Sequence, residues 1–288
     1  MGITVAIVAQ GSMGSGVGKR LTERGAAVRT LLAGRSGKSA ERARAAGMQP
    51  APDERALLDG ADVFLSILPP DRAEALARQM APALTALAKK PVYVDCNAVS
   101  PQTVERIAAA VSRTGADFID AGIVGGPPRE GYSPAIYASG PAVAKTAVLR
   151  DWGLDWRAID GPVGAASGLK MSYAGITKGV TAIGSATLLG AARFGCADAL
   201  IAELSASQPQ IFGYLKNSVP RMYDKAYRWV GEMEEIADFH EGNKPAVDIY
   251  AAIARLYQFL AAAEAEEPRG PDNAIGTLDR VLGRIGAD

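Results

Sequence analysis

The chain has 288 residues, 48% of them hydrophobic, with 31 basic and 31 acidic side chains. That size and composition fit a soluble globular protein of one large or two smaller domains. A formal net charge of zero argues against nucleic acid or an anionic membrane surface as a partner.

The two cysteines, Cys96 and Cys196, have no metal-ligand spacing and read as reduced, buried thiols, so no metal site is expected. The chain goes straight into a strand with no leader pattern, and the cytoplasm is the expected compartment.

Ile3–Ala9 is apolar and β-branched and reads as a buried strand. Gln10-Gly11-Ser12-Met13-Gly14-Ser15-Gly16 then leads into a helical stretch from Val17 to Arg24. Strand, glycine turn and helix together form the layout that cradles a dinucleotide pyrophosphate on a helix N-terminus. The spacing is G-x-G-x-x-G with alanine, Ala9, at the first glycine. Gly11, Ser12, Met13 and Gly14 are therefore candidate cofactor-binding residues; the alternative is a plain strand–turn–helix with incidental glycines.

Ala27–Leu32 is the next strand. An NAD site would place Asp or Glu just after it, to accept from the ribose 2′-hydroxyl. Ala33–Ser39 contains neither, and carries Arg35, Ser36, Lys38 and Ser39, donors suited to a 2′-phosphate. Arg35 and Ser36 are candidate contacts, and NADP is favoured over NAD. The alternative is a solvated basic loop in which Ser39 caps the following helix.

Val63–Leu68 reads as a strand ending at Pro69-Pro70, with Asp71 capping a helix to about Ala88. Val92–Asp95 is another strand, Asn97 ends it, and Ser100-Pro101 opens a helix to Arg113. Asp117–Asp120 and Ala135–Ala138 look like further strands. This alternation implies a parallel sheet with helices on its faces and ligands beyond the carboxyl ends of the strands. Leu68, Pro69 and Asn97 lie at such ends and are further candidate cofactor contacts.

Two more segments matter. Asp120–Pro128 is glycine-rich and follows a strand, so the backbone of Gly122, Ile123, Val124 and Gly125 can offer N–H groups to a carboxylate or another small polar group, or it is simply a turn. Gly161–Lys170 opens a long helix, about Val163 to Phe194, that would span ~45 Å. Its most apolar part, Met171–Ala192, contains Lys178 and many hydroxyls, and reads as a buried helix rather than a membrane span. Ser167, Lys170, Ala174, Thr177 and Thr181 share one face. Lys170 can exchange a proton with a substrate there, or simply snorkel. From Gly161 to Ile285 nearly everything reads helical. The expected architecture is an α/β, Rossmann-type doubly wound sheet (1–160) followed by an all-α domain (161–288).

These segments together resemble the β-hydroxyacid dehydrogenase superfamily, which includes 3-hydroxyisobutyrate and 6-phosphogluconate dehydrogenases and, more distantly, imine reductases. The resemblance rests on Ala9–Gly14, Ser66–Pro69, Asp95–Pro101, Asp120–Gly126 and Gly161–Lys170, in the family's order. Trp229–Glu235 and the helical remainder resemble the short C-terminal domain of uncharacterised members. The resemblance implies NAD(P) on the first domain, a substrate cleft between domains, a homodimer that covers the long helix, and Lys170 as general acid/base.

The departures are specific. Val124 stands where the family carries a serine that helps hold a substrate carboxylate. Ala174 stands where it carries an asparagine, and Glu232–Glu234 lack the family's lysine. Tyr173, Thr177 and Lys178 are the nearest replacements. A less anionic small-molecule substrate follows: a ketone, an imine or an aromatic hydroxy compound. Hydride transfer at a carbon bearing oxygen is the expected chemistry; imine reduction and a non-catalytic NADP(H)-binding sensor are the alternatives. His240 reads as part of a solvated acidic helix face. Tyr214, Tyr223, Tyr227, Trp229, Tyr250 and Tyr257 read mostly as core.

Overall fold

The computed structural model describes residues 2–268 and 273–283. It divides into two compact units, Met1–Met171 and Ser172–Asp288.

The first unit is built on one eight-stranded sheet. Its strands are β1 (Thr4–Val8), β2 (Ala27–Leu31), β3 (Gln49–Ala51), β4 (Val63–Ser66), β5 (Val92–Asp95), β6 (Phe118–Val124), β7 (Ala135–Ser139) and β8 (Asp155–Ala158). Their order is β3-β2-β1-β4-β5-β6-β7-β8. The first six follow the order of a dinucleotide-binding sheet, which reverses between β1 and β4. The sheet is not wholly parallel as expected, because β7 runs antiparallel to β6. The segment 125–134 between them is too short for the crossover that a parallel pair needs.

The connecting helices are α1 (Ser12–Glu23), α2 (Gly37–Ala45), α3 (Glu54–Leu58), α4 (Pro70–Ala86) and α5 (Pro101–Ser112). Both faces of the sheet are covered. Val5 and Ile7 of β1 join a core with Val17 and Leu21 of α1, while Ala6 and Val8 join one with Leu76, Met80 and Val104. Burial on both faces explains why these strands read as continuous apolar runs rather than alternating ones.

Several boundaries differ from expectation. Ser36, not Ser39, caps α2, its hydroxyl accepting the Ser39 N–H at 3.3 Å. Pro69 is the first residue of the α4 boundary and Asp71 lies inside the first turn. Ser100 caps α5 as its sequence suggests. β3, α3 and β8 were not expected: each is short, and Pro50 and Asp155 are poor strand formers by propensity.

The second unit is helical: α6 (Ala165–Arg193) enters it, followed by α7 (Ala197–Ser207), α8 (Pro209–Ser218), α9 (Ala226–Phe239), α10 (Lys244–Glu266) and α11 (Ala274–Val281). The helical expectation to Ile285 runs past the described residues. Among the described residues α10, not the stretch Met171–Ala192, is the helix long and apolar enough to cross a membrane by length and composition. It has one buried stripe, Ile253, Ala254, Tyr257 and Leu260, and Tyr257 meets Trp229 of α9 edge-on at 5.2 Å. That spacing is of a bundle helix.

Candidate active site

The carboxyl ends of β1, β4, β5 and β6 lie on one edge of the sheet, because these strands are parallel. At β1, Gly11 caps α1 with extended backbone, no side-chain cap and no acidic residue in the first turn. The leading N–H groups of such a helix lack intrahelical partners and favour an anion. A Cβ on Gly11 would meet nothing within 4 Å. A Cβ on Gly14 would lie 1.9 Å from the Ala9 carbonyl oxygen. So Gly11 leaves room above the turn, and Gly14 lets the helix close onto it. The turn is tied sideways: the Ala9 N–H donates to Ile67 O at 3.0 Å, and the Gln10 amide donates to Thr30 and, at 2.9 Å, to Leu31 O.

Beyond β2, Arg35, Ser36 and Lys38 are exposed. Arg35 has no ion pair among the described residues. The Ser36 hydroxyl is partly spent on its cap.

At β4 and β5 the structure uses Asn97 internally. Its Oδ1 accepts the Leu68 N–H at 2.5 Å, and its Nδ2 donates to Ser66 Oγ and Asp95 Oδ2, each at 2.8 Å. Asn97 is buried and holds the Leu68–Pro69 turn rather than presenting a free amide. Burial raises the Asp95 carboxyl to about 7, against the lowering effect of its hydrogen bonds from Asn97, with Asp120 on the next strand adding to the rise.

β6 corrects the reading of the second glycine segment. Gly122, Ile123 and Val124 lie inside the strand, paired with Tyr137, Ile136 and Ala135 of β7, so they do not form an open turn. A Cβ on Gly122 would come within 2.9 Å of both the Ala166 carbonyl oxygen and Lys170 Cβ. Gly122 is therefore where α6 lies against the sheet. Only Gly125, at φ +127°, begins the turn.

Sequence reasoning missed what fixes the start of α6. Asp120 Oδ2 accepts the N–H of Gly164 at 3.0 Å and of Ser167 at 2.9 Å, and Oδ1 accepts the Ser167 hydroxyl at 2.6 Å. The Ser139 hydroxyl donates to Asp120 at 3.3 Å and accepts the Ala166 N–H at 3.0 Å. A buried carboxylate from a strand thus serves as the missing N-cap. The clue is that α6 opens at Gly164-Ala165, with no capping side chain of its own. Burial raises the Asp120 carboxyl, and the bonds from Ser167, Ser139 and Gly164 oppose it.

Lys170 follows in the second turn of α6, half-buried, with no carboxylate partner among the described residues. In the second unit Tyr173 is 51% exposed, and Ala174 is buried. The Thr177 hydroxyl donates to the Tyr173 carbonyl of its own helix at 2.9 Å, and the Thr177 carbonyl accepts from Tyr214 at 2.8 Å. Lys178 is ion-paired with Glu232 and lies 5.0 Å from the Trp229 ring centroid. Both polar side chains are therefore engaged within the helical unit.

His240 is half-buried beside the exposed Glu234, Asp238 and Glu241, and its ring stacks flat on Tyr250 with centroids 5.2 Å apart. Tyr214 and Tyr227 are exposed rather than core, and so is Cys196, while Cys96 is buried. Among the described residues no group of three or more His, Cys, Asp or Glu could hold a metal ion.

Comparison with known proteins agrees with this architecture. The family described as the NAD binding domain of 6-phosphogluconate dehydrogenase matches residues 4–150, and a domain of unknown function, DUF1932, matches 191–260. An uncharacterised 28.5 kDa protein from the 7S RNA 5′ region of Methanothermus fervidus is 29% identical over 213 residues, 74% of this chain and 81% of that protein. A solved conserved protein of unknown function, noted for its similarity to 3-hydroxyacid dehydrogenases, is 27% identical. Its TM-score is 0.71, over 92% of this chain and 99% of that one. The 3-hydroxyisobutyrate dehydrogenase of Mycobacterium tuberculosis, solved with L-serine, shares the fold over the full length of both chains, with TM-score 0.74 and 17% identity. The chain has a hydroxyacid dehydrogenase-like, NAD(P)-binding oxidoreductase fold, and it belongs to the family of the 6-phosphogluconate dehydrogenase NAD-binding domain.

Proposed function

We propose that this chain is an NADP-dependent oxidoreductase that reduces or forms a carbonyl group on a small molecule, with Lys170 as general acid/base. The observation that carries this reading is the position of Lys170. It is half-buried, without a carboxylate partner among the described residues, against Gly122 on the sheet edge that carries the α1 turn. The cradle fits the cofactor: Gly11 leaves open space, the first turn of α1 has no acid, and Ala33–Ser39 is basic.

Gly11, Ser12, Met13 and Gly14 would hold the pyrophosphate, and Arg35 with Ser36 the 2′-phosphate. Leu68 and Pro69 would line the nicotinamide side, kept in place by Asn97. The bound dinucleotide supplies or accepts the hydride. In the reducing direction the Lys170 ammonium gives its proton to the oxygen that gains charge; in the oxidising direction the neutral amine takes the hydroxyl proton. Residues 1–160 serve the nucleotide, and 161–288 serve substrate and subunit contact.

The test is NADPH oxidation at neutral pH with a panel of ketones, aldehydes and cyclic imines. Turnover of imines alone moves the reading to imine reduction. NADPH binding with no turnover across the panel leaves a nucleotide sensor instead. Arg35→Ala is expected to weaken NADPH binding about tenfold and NADH binding hardly at all, measured by fluorescence titration. A wild type that prefers NADH overturns the 2′-phosphate assignment.

A homodimer is the expected assembly. Tyr173, Ile176, Val180 and Ile183 of α6 and Ile211 and Tyr214 of α8 are exposed. Ile176, Thr177, Val180, Gln210, Ile211 and Tyr214 line an open apolar groove. Contiguous apolar surface of this kind marks an interface. A monomer in sedimentation at micromolar concentration would refute this assembly.

A further inference from the structure

Beyond β6 the chain makes a tightly fixed loop. Arg129 and Tyr132 exchange backbone hydrogen bonds, each 3.0 Å, around Gly131 at φ +68°. Arg20 of α1 reaches across to the Arg129 and Tyr132 carbonyls at 2.8 and 3.1 Å. Pro127 and Pro128 lie on α1 where a Cβ on Gly16 would meet them at 3.3 and 3.1 Å. Tyr132 is thus pinned through its main chain to the helix that opens the cofactor turn.

Its side chain reaches back to the end of β6. The Gly126 N–H donates to Tyr132 Oη at 3.2 Å. A Cβ on Gly125 would lie 2.1 Å from the same oxygen. A glycine turn at the carboxyl end of a strand is where backbone N–H groups would receive an anion. Here a neutral hydroxyl already occupies that place. The phenol donates to no acceptor among the described residues, so its proton remains available.

We propose that Tyr132 sets the substrate class: its hydroxyl fills the anion position at the Gly125–Gly126 turn and offers one neutral donor, which selects uncharged ketones, imines or hydroxy compounds over carboxylates. The inference rests on the proposed oxidoreductase reading and names the substrate of that same site. A carboxylate leaving water needs several donors or a close charge. With the Gly126 N–H taken and Val124 apolar, the hydroxyl puts a single neutral donor in their place. Arg129 is the nearby cation, but it is exposed and stacks on the Tyr132 ring face, 4.9 Å from the centroid, where solvent screens it.

The test uses the full ¹⁵N-labelled chain, with and without NADPH, titrated with acetate as the anion and acetone as the neutral probe. In the wild type the Gly126 amide resonance is expected to stay still with acetate up to about 10 mM. In Tyr132→Phe, which keeps the ring and its Arg129 contact, the same resonance is expected to move saturably, with a gain in acetate affinity of about tenfold or more. A saturable acetate shift of Gly126 in the wild type overturns the proposal, and so does a variant with no gain. NADPH fluorescence on the same samples judges the oxidoreductase reading separately. A chain that binds no NADPH sinks that reading, while the nucleotide-free titration still decides the role of Tyr132.

Discussion

Lys170→Ala is expected to reduce NADPH-dependent turnover by about 10²- to 10⁴-fold, the usual contribution of a positioned general acid or base. NADPH affinity is expected to stay within a factor of about two, because the cofactor contacts proposed above lie on α1 and at the β2 and β4 ends, not on α6. The loss belongs in kcat and in kcat/KM alike, since proton transfer to the reacting oxygen is made in the transition state. Lys170→Arg separates charge from acidity. Arginine keeps the cation but does not deprotonate, so turnover stays low. Wild-type rates in either variant, measured under saturating NADPH, would sink the assignment of Lys170.

Asp120→Ala carries the second largest expected effect. The substitution leaves the Gly164 and Ser167 N–H groups, the Ser167 hydroxyl and the Ser139 hydroxyl without their shared acceptor. Each buried unsatisfied donor costs about 1–3 kcal/mol, and relief from desolvating the carboxylate returns part of it. A net loss of about 3 kcal/mol in urea unfolding is expected. Asp120→Asn keeps the shape and one acceptor oxygen, and about 1 kcal/mol is expected to be lost. An alanine variant within about 0.5 kcal/mol of wild type would show that α6 holds its start without this carboxylate.

The strongest sequence signals were those with local causes. The first glycine turn is legible because strand, turn and helix follow one another within about 20 residues, and Gly14 sits where a Cβ would collide with the Ala9 carbonyl. The Ser100-Pro101 helix start is legible for the same reason. What stayed hidden depends on residues distant in the chain. Asp120 caps a helix that begins more than 40 residues later, and no local pattern marks that pairing. The direction of β7 hid as well, because an apolar strand reads alike in either direction. Val124 looks like part of a turn in the sequence because glycine is a common turn residue, whereas Gly122 answers the close approach of α6. Lys178 looked available on helical spacing alone. Its partner, Glu232, lies 54 positions on.

The reversal at β7 has a consequence for how such a scaffold can diversify. In an all-parallel sheet, a helix would carry the chain away from the ligand edge before the next strand began. Turning back at once leaves residues 125–134 stationed on that edge as a hairpin tip braced against α1 by Arg20. Its side chains can change at little cost to the strands beneath it, so long as the carbonyls that meet Arg20 stay in place. Recognition can therefore drift there while the nucleotide cradle keeps its shape.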